Sequence, residues 1–255
     1  MLDITYPPII WTAKALFRAM GLRFTMSGTE HVPREGGALI AFNHVSYVDF
    51  VFGGYAAQPS RRLIRFMAKR ETFDHPVSGP LMRSLHHISV DRAEGAASMR
   101  QAVDYLRRGE IVGIFPEATI SRSFEIKEIK SGAARIAAEA GVPLIPAVLW
   151  GTQRLMTKDH ARDFSRGKTI AIAVGEPLHP TGGDPAAESQ QLHDGLARLL
   201  DETIRTYPAE EQPPGSWWLP ARLGGSAPTP GEAARLDAEE KRQRAERKRA
   251  RETGD

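Results

Sequence analysis

The chain has 255 residues, 41% of them hydrophobic and 25% charged, with a formal net charge of +3. That is enough length and apolar content for one α/β domain with appendages, and it excludes a disordered chain. The absence of cysteine excludes disulfides, thiolate metal sites and a cysteine nucleophile and fits a reducing compartment, and no apolar run is long enough for a transmembrane helix.

Taken from the N-terminus, residues 4–20 predict an amphipathic helix. Ile9, Ile10, Ala13, Leu16, Phe17 and Met20 recur at helical spacing, and Lys14, Arg18 and Arg23 are the only charges between Asp3 and Glu30. Such a helix suits a lipid headgroup layer, and it equally suits packing on its own domain. A charged head, apolar centre and small-residue cleavage site are not found together here, so no signal peptide is expected. Residues 1–24 are therefore set apart as a membrane-associating helix.

The run Ala-Leu-Ile-Ala-Phe at 38–42 predicts a buried strand, followed by Asn43, His44, Ser46 and Asp49. A histidine at a strand mouth and an aspartate in the first helical turn make a plausible catalytic pair. The carboxylate holds one imidazole nitrogen and leaves the other to take a proton. Ser46-x-x-Asp49 is also a capping box, in which Asp49 satisfies a free amide at the helix start. From the residues alone both readings stand.

Arg61, Arg62, Arg65, Lys69 and Arg70 flank Leu63, Ile64, Phe66 and Met67 and read as a solvated basic edge, or near a membrane as an attraction for anionic lipid. A short strand at 88–90 leads to Asp91 and Arg92. His86 and His87 before it are adjacent, face opposite ways on a strand and make a poor metal pair. A helix over 95–109 stops at Gly109. Strand 111–115 ends at Pro116-Glu117, helix 130–140 stops at Gly141, strands follow at 142–150 and 169–174, and a helix closes the domain over 187–206.

This alternation predicts a mostly parallel central sheet covered by helices on both faces. Sites in such sheets lie beyond the carboxyl ends of the strands, where His44 and Glu117 fall. The main domain is drawn at 25–207, a Pro/Gly/Trp-rich segment at 208–231 and a charged tail at 232–255. Trp217 and Trp218 are either core plugs or interfacial anchors. Residues 241–251 hold seven Lys/Arg and one Glu, read as a solvated helix or disordered tail in preference to a specific lipid or nucleic-acid role.

Phe115-Pro116-Glu117-Ala118-Thr119-Ile120-Ser121-Arg122 brings a carboxylate and two hydroxyls to the rim that holds His44. With Asn43-His44-x4-Asp49, it resembles the blocks of the lysophosphatidate acyltransferase, or PlsC-like, family of glycerolipid acyltransferases. The second family block is matched by Val90-Asp91-Arg92 and the fourth by Val142-Pro143-Leu144-Ile145-Pro146. All four lie in register, and Lys130-Ser131-Gly132-Ala133-Ala134 resembles the family's lead-in to the next helix. The likeness covers roughly residues 29–178. Ala118 stands where the family has glycine, Ile120 where it has arginine or asparagine, and His86 near the glycine that opens the second block.

The resemblance implies the family fold and direct acyl transfer to a lysophosphatidate hydroxyl, with acyl-CoA or acyl carrier protein as donor and phosphatidate as product. It casts His44 as general base and Asp49 as its orienting carboxylate. Arg92 would bind the acceptor phosphate, against a salt bridge to Asp91 or Glu94 as the plainer reading. Asn43, Glu117, Thr119, Ser121, Arg122 and Lys130 complete the implied substrate contacts. It further implies a peripheral place on the cytoplasmic face of the membrane. No metal, no cofactor beyond the donor and no nucleic-acid partner are expected. Another acceptor (glycerol-3-phosphate or a different lysophospholipid), lipid hydrolysis, or non-catalytic lipid binding on the same fold are the alternatives.

Overall fold

The structure is a computed structural model that describes residues 5–76, 78–91 and 95–253. Seven strands form one sheet: β1 (Arg23–Ser27), β2 (Ala38–Phe42), β3 (Ile64–Lys69), β4 (Ile88–Val90), β5 (Ile111–Ile114), β6 (Leu144–Trp150) and β7 (Thr169–Val174). Their spatial order is β1-β7-β6-β2-β5-β3-β4. The five strands from β6 to β4 are mutually parallel. β7 runs antiparallel to β6, and β1 follows β7. The mostly parallel sheet is thus present, with a reversed pair at one edge.

The helices are α1 (Tyr6–Ala19), α2 (Asp49–Gly53), α3 (Arg70–Asp74), α4 (Ser78–Ser84), α5 (Gly95–Arg107), α6 (Gly132–Ala140), α7 (Pro185–Thr206) and α8 (Pro230–Thr253). β2 lies at the centre and is buried at all five positions, as a strand covered on both faces must be. Its alternate residues feed two cores. Leu39 and Ala41 join Val112, Leu144, Val148, Trp150, Ala134, Ile136 and Leu196 beneath α5, α6 and α7. Ala38, Ile40 and Phe42 join Ile145, Ala147, Leu149, Phe17 and Phe52 beneath α1 and α2. Gly141 ends α6 in the left-handed conformation, φ +67°, as expected for a C-terminal stop.

Two expectations are corrected. The basic stretch around residue 65 is an internal strand, β3, between β5 and β4, not a solvated edge. Arg65 is 1% exposed; its guanidinium meets Glu110, donates to the Leu85 carbonyl and lies 5.0 Å from the Tyr6 ring centroid, so the charge is buried with partners. His86 and His87 do not share a strand: β4 begins at Ile88, and His86 sits in a turn with φ +54°.

Trp217 and Trp218 are plugs. Both are half-buried against the core, with Trp217 stacked on His160 at 3.8 Å between ring centroids.

Candidate active site

The parallel strands bring the ends of β2, β5 and β6 to one rim. β2 runs out at Phe42, and the chain turns sharply through 43–48 before α2. This turn is held by Asp49, a side chain with no exposure. Its Oδ2 accepts from His44 Nδ1 at 2.9 Å, Val45 N at 2.8 Å and Ser46 N at 2.7 Å, and its Oδ1 accepts from Thr152 Oγ1 at 2.6 Å. The capping box is not formed, since α2 starts at Asp49 with Val48 before it and the Ser46 hydroxyl donates to the Met156 carbonyl at 2.6 Å; the one Asp49 carboxylate instead holds the amides of the turn and the imidazole together.

A buried carboxylate already accepting three other donors fixes Nδ1 as the protonated ring nitrogen. That leaves Nε2 as the basic atom. The His44 side chain is 22% exposed, so the ring reaches solvent while its partner does not. Phe115 backs it, with ring centroids 4.5 Å apart, and Phe115 is stacked on Phe66. This wall limits ring rotation.

Thr152 is a site residue that sequence reasoning missed. It follows Gly151, which has φ +92° and whose absent Cβ would lie 2.2 Å from the Thr169 carbonyl. Only glycine fits there, and this turn at the end of β6 delivers the threonine hydroxyl to Asp49. The available signal was Trp150-Gly151-Thr152 closing a strand that ends at the same rim as β2.

Glu117 lies beneath the turn. Its Oε1 accepts from His44 N at 2.8 Å and its Oε2 from Lys127 N at 3.0 Å, so it ties the two loops together. Burial pushes its carboxyl up to about 8, against the pull of those two N–H donors and the nearby Lys127 ammonium. Thr119, half-buried, accepts from Lys127 Nζ at 2.8 Å.

Asn43 and Ser121 point away from the open rim. Asn43 is fully buried; it donates to the Leu149 carbonyl and accepts from Leu149 N, at 3.0 and 2.8 Å. It staples β2 to β6 behind the histidine and does not line an open site. Ser121, also fully buried, donates to the Glu125 carbonyl at 2.7 Å and through its own N–H holds the His44 carbonyl at 2.8 Å. The Arg122 guanidinium is engaged by Asp159 at 2.5 Å, by Glu240 at 2.9 Å and by Asp237. Lys130 is exposed two residues before α6. Arg92 lies outside the described residues. No cluster of three or more metal-ligating side chains occurs among the described residues.

Residues 23–150 match the protein-family model described as Acyltransferase. The chain is 35% identical over 151 residues to a 1-acyl-sn-glycerol-3-phosphate acyltransferase of Bacillus subtilis (strain 168), an alignment covering 59% of this chain and 71% of that one. It is 29% identical over 200 residues to a protein of the same name from Limnanthes douglasii, covering 77% and 67%. Among solved structures, the crystal structure of the 1-acyl-sn-glycerophosphate acyltransferase PlsC from Thermotoga maritima superposes with a TM-score of 0.65 at 23% identity, over 79% of this chain and 80% of that one. The fold is shared.

Proposed function

The chain belongs to the acyltransferase family, and we propose that it moves a fatty acyl group from acyl-CoA or acyl carrier protein to the free hydroxyl of a lysophosphatidate, giving phosphatidate. The observation that carries this reading is the His44–Asp49 pair, 2.9 Å apart, with the carboxylate buried and the imidazole open.

In the step that this geometry supports, His44 Nε2 takes the proton from the acceptor hydroxyl as its oxygen attacks the thioester carbonyl. The new C–O bond forms, the tetrahedral intermediate collapses with loss of the C–S bond, and the thiolate recovers the proton from the imidazolium. Asp49 stabilises the imidazolium and holds the tautomer without itself accepting the proton. The donor is a substrate; the step draws on no other cofactor.

The acceptor and the acyl chain both favour a bilayer surface, and the reading places the protein peripherally on its cytoplasmic face. No helix of the described residues is long and apolar enough to cross a membrane. Large apolar side chains are nevertheless exposed: Tyr47 before α2 and Phe50 within it, close to His44 in the chain, and Trp11 and Leu16 on α1. α1 packs directly beside α2 through Phe17 on Phe52, stacked at 4.8 Å. A bilayer meeting Tyr47 and Phe50 would lie beside His44.

The test is thiol release from oleoyl-CoA with and without lysophosphatidate, for wild type and His44→Ala. A positioned base is worth roughly 10²–10⁴ in rate, so acceptor-dependent release in the variant should fall by that factor with its thermal unfolding unchanged. Activity retained in a folded His44→Ala protein would remove the mechanism.

A further inference from the structure

Beside the His44 turn, three cations gather from two loops. Arg122 is 8% exposed, Lys158 10% and Lys127 27%. All three are tied to the catalytic turn. Ser121, next to Arg122, holds the His44 carbonyl. Thr157, next to Lys158, donates to the Val45 carbonyl at 2.7 Å, and Lys127 N shares Glu117 with His44 N. Three carboxylates face them, and only Asp159 belongs to the same body of loops. The other two, Asp237 and Glu240, come from α8. Asp237 meets Lys127 at 2.5 Å, Lys158 at 3.3 Å and also Arg122; Glu240 meets Arg122 at 2.9 Å and Lys158 at 3.0 Å.

With α8 in place the three cations face three carboxylates, Glu240 being shared with the exposed Arg244 of its own helix. Without it the cluster carries a surplus of two positive charges, which matches a phosphate monoester of about −1.5 to −2 near neutral pH. α8 is also poorly anchored by apolar contact. Ala233 is buried, while Leu236, the helix's sole large apolar residue, is exposed. The helix has a defined start. Thr229 precedes its first residue, Pro230, and forms a reciprocal cap with Glu232: Thr229 N and Oγ1 donate to Glu232 Oε2 at 2.9 and 2.7 Å, and Glu232 N donates to Thr229 Oγ1 at 3.4 Å. Beyond Glu240 the helix turns strongly basic, with seven Lys/Arg and one Glu over residues 241–251.

Resting on the acyl-transfer reading above, we infer that α8 is a strap with two electrostatic ends. Asp237 and Glu240 occupy the cations that receive the acceptor's phosphate. The basic far half is drawn to an anionic bilayer surface, at about 1 kcal/mol per Lys or Arg near that surface, and pulls the carboxylates away. The site is thereby opened where its acceptor resides. Because Arg122 and Lys158 are only 8% and 10% exposed, the carboxylates leave only as the acceptor's phosphate takes their place, so that no buried charge is left unpaired.

The double variant Asp237→Asn/Glu240→Gln tests the inner end, and a pair of spin labels tests the outer one. Because the chain has no cysteine, Asp104→Cys on α5 and Gln243→Cys on α8 are labelled uniquely. Their separation is read, with lysophosphatidate present, on phosphatidylcholine vesicles and on vesicles containing 30% phosphatidylglycerol. The strap predicts that the labels move apart only on the anionic vesicles. It also predicts a several-fold lower KM for lysophosphatidate in the double variant in neutral micelles, with kcat unchanged and the stimulation by anionic lipid lost. Labels that hold their distance on anionic vesicles, or a double variant with wild-type KM and wild-type stimulation, would overturn it. If the wild type transfers no acyl group to lysophosphatidate, the reading of function fails while the label distances still decide whether α8 lifts.

Discussion

Asp49 shows how much one side chain can be asked to do when a turn is tight. It caps the turn through two backbone amides, fixes the imidazole, and is fixed in turn by Thr152. The two positions where the resemblance leads one to expect glycine have an equally local explanation. Ala118 has φ +59° and His86 φ +54°, both in the left-handed region that costs a side-chain-bearing residue roughly 1–2 kcal/mol. Glycine relieves that strain but adds freedom to the unfolded chain, worth roughly 0.5–1 kcal/mol. Ala118→Gly should therefore raise unfolding stability by about 0.5–1 kcal/mol, read from urea denaturation. His86→Gly should gain less, because histidine tolerates this conformation better than most residues. A loss of stability at Ala118 would show that the strain is relieved by its surroundings.

At the level of elements, the sequence made the central strands plain because β2, β5, β6 and β7 are continuous apolar runs, buried on both faces. β3 was hidden for a physical reason. It carries Arg65 and Lys69, and a buried arginine looks like surface until its partners Glu110 and Tyr6 are in place. β1 was hidden because an edge strand needs little apolar content; four of its five residues are exposed. The His44–Asp49 pair was legible because it is local, whereas Thr152, more than a hundred residues on, becomes visible only once β6 lies beside β2. The helix α1 invites a direct test of the membrane-facing reading. Trp11 is 76% exposed and Leu16 55%, so Trp11→Glu/Leu16→Glu should leave the fold intact and cut co-sedimentation with phosphatidylglycerol-containing vesicles at least tenfold. Unchanged binding would move the contact away from α1.

For the whole molecule, two buried groups of opposite character shape stability against pH. His87 accepts from Phe66 N at 3.0 Å, and burial, with Arg65 and His86 nearby, lowers its pKa to about 4. Between its ordinary value near 6.5 and 4, the unfolded chain holds a proton that the fold refuses, so this contribution is lost as pH falls through that window. Glu117, raised to about 8, works the other way. The fold keeps a proton that the unfolded chain releases above about 4.5, so its contribution is lost as pH rises towards 8. The slopes cancel between about pH 4.5 and 6.5, and above that range stability should fall by up to about 1.4 kcal/mol per pH unit until about pH 8. Urea titrations across this range should show a plateau and then a decline, and Glu117→Gln should abolish the decline. A decline that survives in Glu117→Gln would assign it to other groups.

The reversed edge of the sheet has a consequence for how the chain is made. β1 finds its neighbour in β7, with Arg23 opposite Thr169, 146 residues later. At a synthesis rate of roughly 5–20 residues per second, β1 and the helix before it wait on the order of ten seconds or more for that neighbour to emerge. During that interval α1 offers Trp11 and Leu16, together with Phe17 and Met20 that later enter the core, to whatever lies near the ribosome. Such long-range pairing is slow to form. On the membrane-facing reading proposed above, a bilayer beside the ribosome is among the surfaces open to α1 before its own sheet is closed.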